Sequence, residues 1–279
     1  MTVVLIIIGV LLAASVAMAV RLMYQVRQQR QLREEAEASK QQAIAEQKRN
    51  QQLKQEMTSN IAHELKTPVS SIRGYLEILL GDKPVEEEQR HYFLERCYSQ
   101  TLRLSDLIAD VALINKLEEA NDLFEKNPVN VNECANEAIV ELNHLAGQHN
   151  VMLHNNLPSP LEIVGDKMLI YTVFRNLIEN AITHAGDGCD VTVDSYHPTD
   201  DDHYFLRVYD NGKGVSSEYL PKLFDRFVRI DEGRSRKNGG TGLGLSIVKH
   251  AVQLHGGNVY AKNRPEGGLE ILFSLAVKQ

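Results

Sequence analysis

The chain has 279 residues, enough for more than one ordinary domain. Its 30 Lys and Arg against 37 Asp and Glu leave a formal charge of −7, without the basic balance that neutralising nucleic-acid phosphates demands, so direct nucleic-acid binding is not expected. The three cysteines, Cys97, Cys134 and Cys189, lie far apart and form no CxxC pair, which argues against a zinc ribbon or disulfide framework and suits reduced thiols.

Val3 to Val20, VVLIIIGVLLAASVAMAV, carries no charge and reaches the roughly 18 residues that a membrane crossing takes. Ala17-Met18-Ala19 resembles a cleavage site, but no basic residue precedes the apolar run and it exceeds the usual signal-peptide core. Residues 1–20 therefore read as one transmembrane helix, touching lipid through residues 3–20. Arg21, Arg27, Arg30 and Arg33 all follow it, which by the positive-inside bias leaves the N-terminus outside and the remainder in the cytoplasm. The expectation is a single-pass protein of the cytoplasmic membrane; with Met1 as the true start, only Met1 and Thr2 lie outside.

From Arg21 to Thr67 there is neither Gly nor Pro, which favours a long helix leaving the membrane. Residues 21–52 form a polar helical linker without a sustained heptad, readable as a solvated spacer or as a signal-carrying coiled coil. Beyond Leu53, Ile61, Leu65, Val69, Ile72, Leu76 and Leu79 recur in steps of three and four and share one helix face. GDKPVEEE breaks that helix, and Phe93, Cys97, Leu104, Leu107, Val111, Ile114 and Leu117 mark a second. Residues 53–122 are thus expected to form an antiparallel helical hairpin. One hairpin buries only part of its apolar stripe, so two copies should close a dimeric four-helix bundle, and a homodimer is expected.

Residues 127–279 mix element types. The patterns predict helices near Val131 to Gln148, Lys167 to Ala185, Glu218 to Phe224 and Gly244 to His255. Short strands are predicted between Val151 and Val164, and longer ones at Asp190 to Tyr196, Tyr204 to Tyr209, Gly257 to Lys262 and Leu269 to Val277. Helices on one face of such a sheet describe an α+β two-layer sandwich, which makes the chain multi-domain.

His63 sits in Ile61-Ala-His-Glu-Leu-Lys-Thr-Pro68. At roughly 100° per residue it lies about 200° from Leu65, off the core face. That disfavours a core histidine and leaves a plain surface residue or a chemical one. Glu64 adjoins it, Thr67 lies one turn on, and Pro68 offers no N–H to the Glu64 carbonyl, so the helix should bend there. A neutral imidazole is a competent nucleophile near pH 7, and an adjacent carboxylate can orient it.

Four further segments could hold a nucleotide. NLIENA places Asn176 and Asn180 on one helix face, able to reach a metal-bound phosphate, although packing or capping explains them equally. YDNGKG puts Asp210 at a strand end, where it could accept from an adenine amino group, but Asp-Asn-Gly is also an ordinary turn. LFDRFVRIDEGRSRKN suggests a loop whose Arg229, Arg234 and Arg236 could contact phosphate or simply be solvated. In GGTGLGL the glycines let backbone amides approach anionic oxygens at a helix N-terminus. Neither a Walker motif nor a Rossmann fingerprint fits the spacing.

AHELKTP, NLIENA, DNGKG, LFDRF and GTGLGL, in this order, resemble the boxes of bacterial two-component sensor histidine kinases over Glu56 to the C-terminus. The resemblance implies a histidine-phosphotransfer hairpin followed by a Bergerat-type (GHKL) ATP-binding domain using ATP and Mg²⁺. It implies that His63 is the phosphoacceptor, that Glu64 assists its attack, and that Thr67 serves dephosphorylation of the partner, a cytoplasmic response regulator. It further implies that Asn180 ligands Mg²⁺ with support from Asn176, and that Asp210 reads adenine. Gly212, Gly214, Gly240, Thr241, Gly242, Leu243 and Gly244 would shape the pocket and its lid, with Arg229 at a phosphate and Phe224 and Phe227 as anchors. One departure stands out: Thr183 occupies a position that the resemblance makes basic in many relatives, so that either Lys213 or a lid arginine substitutes or turnover is slow. His184, His250 and His255 read as structural or surface residues. The alternatives to an ATP-dependent protein-histidine kinase are a catalytically weak ATP-binding scaffold and an ATPase clamp.

Overall fold

A computed structural model describes residues 2–119, 126–196, 202–229 and 240–277. Backbone contacts divide the chain into two compact units, Met1–Ile61 and Ala62–Gln279. The first unit is entirely helical over its described residues, belonging to α1 (Thr2–Leu80), which continues through Pro68. The side chains on which the expected membrane span rests lie, apart from Met18, outside the described residues. Among the described residues no helix is long and apolar enough to cross a membrane. Arg234 and Arg236 also lie outside them.

In the second unit the end of α1 is followed by α2 (Glu87–Glu119), completing the hairpin. Leu107, Ile114 and Leu117 of α2 are buried, and Tyr75 stacks on Phe93 across the two helices at 5.4 Å.

The α/β part begins with a strand absent from the sequence expectation, β1 (Asn127–Asn130), which pairs antiparallel with β3 (Glu162–Gly165) as a separate two-stranded sheet. Asn130 ends β1 and caps α3 (Val131–Gln148) by accepting from the Asn132 amide. Asp166 does the same for α4 (Lys167–His184), accepting from Leu169 N–H at 3.1 Å. The main sheet has the order β2 (Met152–Asn155), β4 (Asp190–Ser195), β5 (His203–Asp210), β7 (Leu269–Ala276) and β6 (Val259–Asn263). Its pairs are antiparallel except β2 with β4. The short strands expected between Val151 and Val164 therefore belong to two different sheets. In place of a helix over Glu218 to Phe224 there is a single 3₁₀ turn, Leu220–Lys222, too short a segment to sustain the nucleation cost of an α-helix.

One sheet face meets α3, α4 and α5 (Gly244–Leu254). Ile271, Phe273 and Leu275 alternate inward along β7, and Phe174 of α4 meets Phe273 edge-on at 5.8 Å. Each such side chain contributes roughly 1.5–3 kcal/mol by leaving water. The opposite face is ionic: Arg207 bridges Asp194 at 2.7 Å and Glu270 at 3.1 Å, and Lys262 reaches Glu270 at 3.0 Å.

His255 ends α5 inside this core at 2 % exposure. Nδ1 donates to the Ala251 carbonyl at 2.7 Å and Nε2 accepts from Asp166 N–H at 3.0 Å, which fixes a neutral tautomer and joins α5 to the start of α4. Burial pushes its pKa below 6.5. Stability is thus held above pH 6.5 and lost as pH falls toward the depressed folded value, because the unfolded ring takes up the proton first. His255→Leu should cost about 1–3 kcal/mol by orphaning the Asp166 amide, and should remove this part of the pH slope. Denaturant titrations of both proteins at about pH 5.5 and 7.5 check both effects.

Candidate functional site

His63 lies on the outward side of α1, with its side chain 68 % exposed and Nδ1 3.9 Å from Glu64 Oε1. Glu64 is only 19 % exposed, and its other oxygen, Oε2, accepts from two guanidinium groups. One belongs to Arg103 of α2, at 3.3 Å, and the other to Arg229 of the α/β part, at 3.0 Å. Both arginines are about as withdrawn from water, at 13 % and 12 %. Thr67 turns its hydroxyl back onto the His63 carbonyl at 3.2 Å.

At the end of β5, Asp210 is 5 % exposed. Its Oδ1 accepts from the amides of Gly212 at 2.9 Å and Leu269 at 3.3 Å, while Oδ2 has no hydrogen bond among the described residues. Burial raises this carboxyl above the usual range, against the amides and Arg264, which oppose the rise. Arg264 lies 4.3 Å over the Tyr209 ring and donates to the Asp210 carbonyl at 3.0 Å. Gly268, at φ +95°, passes so close that a Cβ there would stand 2.0 Å from that same carbonyl oxygen. Gly212 and Gly214 form the turn after Asp210, with Asn263 accepting from the Val215 amide at 2.9 Å.

On α4, Asn176 donates to the Thr172 carbonyl at 2.9 Å and packs on the start of α5, where a Cβ on Gly244 would come within 2.5 Å of its Oδ1. The Asn180 side chain, half-buried one turn later, makes no hydrogen bond among the described residues. The Thr183 hydroxyl is turned back onto the carbonyls of Glu179 and Asn180, at 2.8 and 3.2 Å.

Phe227 and Gly242 are joined by an amide-to-carbonyl hydrogen bond of 2.8 Å, and Arg229 donates to the Gly240 carbonyl. Thr241 donates to Asp110 Oδ2 of α2 at 2.7 Å and accepts from the Leu243 amide at 3.2 Å; Leu243 itself is fully buried. This seam between hairpin and α/β part is acidic. Arg175 donates to Glu141 and Glu179, each at 3.0 Å, with Asp106 and Asp110 nearby. Burial raises the pKa of Asp110, with Asp106 adding to the rise and Thr241 and Arg175 opposing it. It raises Glu179 likewise, against Arg175.

The structure thus gathers His63, Glu64, Arg229 and Thr241 along one side of the hairpin, and Asp210 with its glycines at the end of β5. Arg229 rests on Glu64 rather than in the Asp210 pocket. His250, bonded to the Ser246 carbonyl and Arg226, and His255 are structural; His184 is exposed. Four contributors escape sequence reasoning: Arg103, Asp110, Arg264 and Gly268. Only the last two carry a local signal, in the Asn263-Arg-Pro-Glu-Gly-Gly268 turn.

Residues 53–120 match the His Kinase A (phospho-acceptor) domain, and residues 165–279 match the histidine kinase-, DNA gyrase B- and HSP90-like ATPase. Among curated relatives, the probable sensor histidine kinase TcrY of Mycobacterium tuberculosis is 36 % identical over 213 residues, 75 % of this chain and 43 % of TcrY. Sensor histidine kinase WalK of Bacillus subtilis is 30 % identical over 236 residues, 85 % of this chain and 39 % of WalK. The chain therefore spans less than half the length of either relative. Among solved structures, histidine kinase ThkA in complex with response regulator protein TrrA superposes with a TM-score of 0.64 at 24 % identity, covering 80 % of this chain and 61 % of that one. Acinetobacter baumannii histidine kinase AdeS gives 0.61 at 21 % identity, covering 77 % and 98 %. The chain belongs to the two-component sensor histidine kinases, and its α/β part is the ATP-binding module of that family.

Gly268→Ala should lower stability by about 1–3 kcal/mol and abolish the rise in melting temperature on adding ATP, because the new Cβ displaces the Asp210 backbone. Gly188→Ala, also at positive φ but with nothing within 4 Å, should keep that rise. Melting curves with and without ATP distinguish the two.

Proposed function

We propose that this chain is an ATP-dependent protein-histidine kinase that phosphorylates His63 and passes the phosphoryl group to an aspartate of a cytoplasmic response regulator. The observation that carries the reading is an exposed imidazole whose Nδ1 faces a carboxylate held at its far oxygen, in one unit with the Asp210 pocket. With Nδ1–H directed to Glu64, Nε2 presents its lone pair outward. Nε2 attacks the γ-phosphorus, the P–N bond forms as the bond to the β-phosphate oxygen breaks, and ADP departs. Glu64 takes the Nδ1 proton from the resulting imidazolium. Positioning and charge neutralisation supply most of the rate in such transfers.

Asp210 Oδ2, without a hydrogen bond among the described residues and beside an oxygen that accepts from two amides, suits an adenine amino group. The Asn180 side-chain amide, without a hydrogen bond among the described residues, suits Mg²⁺, which takes few protein ligands and retains several waters. That ion would neutralise charge on the transferring phosphate. Thr67 is assigned to dephosphorylation of the regulator, as a second activity of the same hairpin. Thr183 offers no cation to phosphate.

The same reading takes the chain as a homodimer. Val69, Leu76 and Leu80 of α1 are exposed, and with Ile72 they line an apolar groove of about 680 Å³ that the hairpin of a second copy would fill. Residues 3–20 are assigned to the bilayer of the cytoplasmic membrane, with the residues after Arg21 on its cytoplasmic side.

Incubating the full chain with γ-labelled ATP and Mg²⁺ should give label that is acid-labile and alkali-stable, and His63→Gln should carry none; equal labelling of both proteins excludes His63. Leu76→Arg should convert the dimer to monomer in sedimentation velocity, since a charge in the groove meets no partner.

A further inference from the structure

We propose that Arg103 is a positioning residue for phosphoryl transfer: by holding Glu64 Oε2 it turns Oε1 toward His63 Nδ1. This rests on the kinase reading of His63. Glu64 is attached through a flexible stem, so its two oxygens exchange places unless one is fixed. Oε2 is fixed twice, by Arg103 and by Arg229, and Oε1 is the atom left facing the imidazole at 3.9 Å.

The two holds are not equivalent. Arg229 comes from the α/β part and shares its guanidinium with the Gly240 carbonyl, so its grip lasts only while that part is seated on the hairpin. Arg103 lies 39 residues from Glu64, on the other helix of the same hairpin, so its grip persists wherever the α/β part stands. Both members of the Arg103–Glu64 pair are less than one-fifth exposed, so the charge-assisted bond is screened far less than a surface ion pair. Arg103 acts through the carboxylate it holds.

Single-turnover labelling of the full chain at saturating ATP provides the test. Arg103→Ala should slow His63 labelling about tenfold, short of the hundredfold that a misplacement of about 1 Å can cost, while the KM for ATP stays unchanged. Arg103→Lys, which keeps the charge on a stem of similar reach, should restore most of the rate. In a Glu64→Gln background Arg103→Ala should slow labelling no further, because its effect passes through the carboxylate. Labelling of Arg103→Ala at the wild-type rate, or equal losses in both backgrounds, overturns the proposal and leaves the kinase reading intact. Absence of label from wild type removes both.

Discussion

A half-hidden carboxylate needs donors, and Glu64 finds two of them on one oxygen. Arg103 ties it to the second helix of the hairpin and Arg229 to the ATP-binding part, so a single atom joins both helices of the hairpin to the ATP-binding part. Glu64 is drawn inward, its neighbour His63 is left outward, and the order of two adjacent residues on a helix becomes a division of labour. Each residue turns the helix by roughly 100°, so a packed stripe through Ile61 and Leu65 cannot also claim position 63.

The nucleotide pocket rests on a comparable economy of atoms. Asp210 Oδ1 gathers the amides of the turn that follows β5 and of the strand β7 beside it. Both segments must approach without side chains in the way, which is why Gly268 stands where it does. Behind the pocket, apolar residues of β7 and α4 form the core; across the sheet, Arg207, Lys262, Asp194 and Glu270 keep the outer face wet.

Periodicity made most of this legible. Steps of three and four located the hairpin, alternation located the long strands, and the same helical geometry placed His63 on the open face. Short elements were harder, because four residues carry too little pattern: β1 was missed at Asn127-Pro128, and β2 and β3 were not separated into their two sheets. Side chains brought together by tertiary packing were invisible in principle. Arg103 resembles any helix-surface arginine until α2 lies against α1, and Asp110 looks solvated until Thr241 meets it. Thr183, noted for its missing charge, proves to be occupied with its own helix backbone.

The seam between hairpin and ATP-binding part has a character of its own. Asp106, Asp110, Glu141 and Glu179 cluster around Arg175, and burial raises the proton affinity of Asp110 and Glu179. The folded seam is favoured below the ordinary carboxylate range, and that preference fades as pH climbs through the raised values, because the unfolded carboxyls shed their protons first. At neutral pH this leaves partly dehydrated carboxylates on both sides of the joint, a standing cost that Arg175 and Thr241 offset only in part.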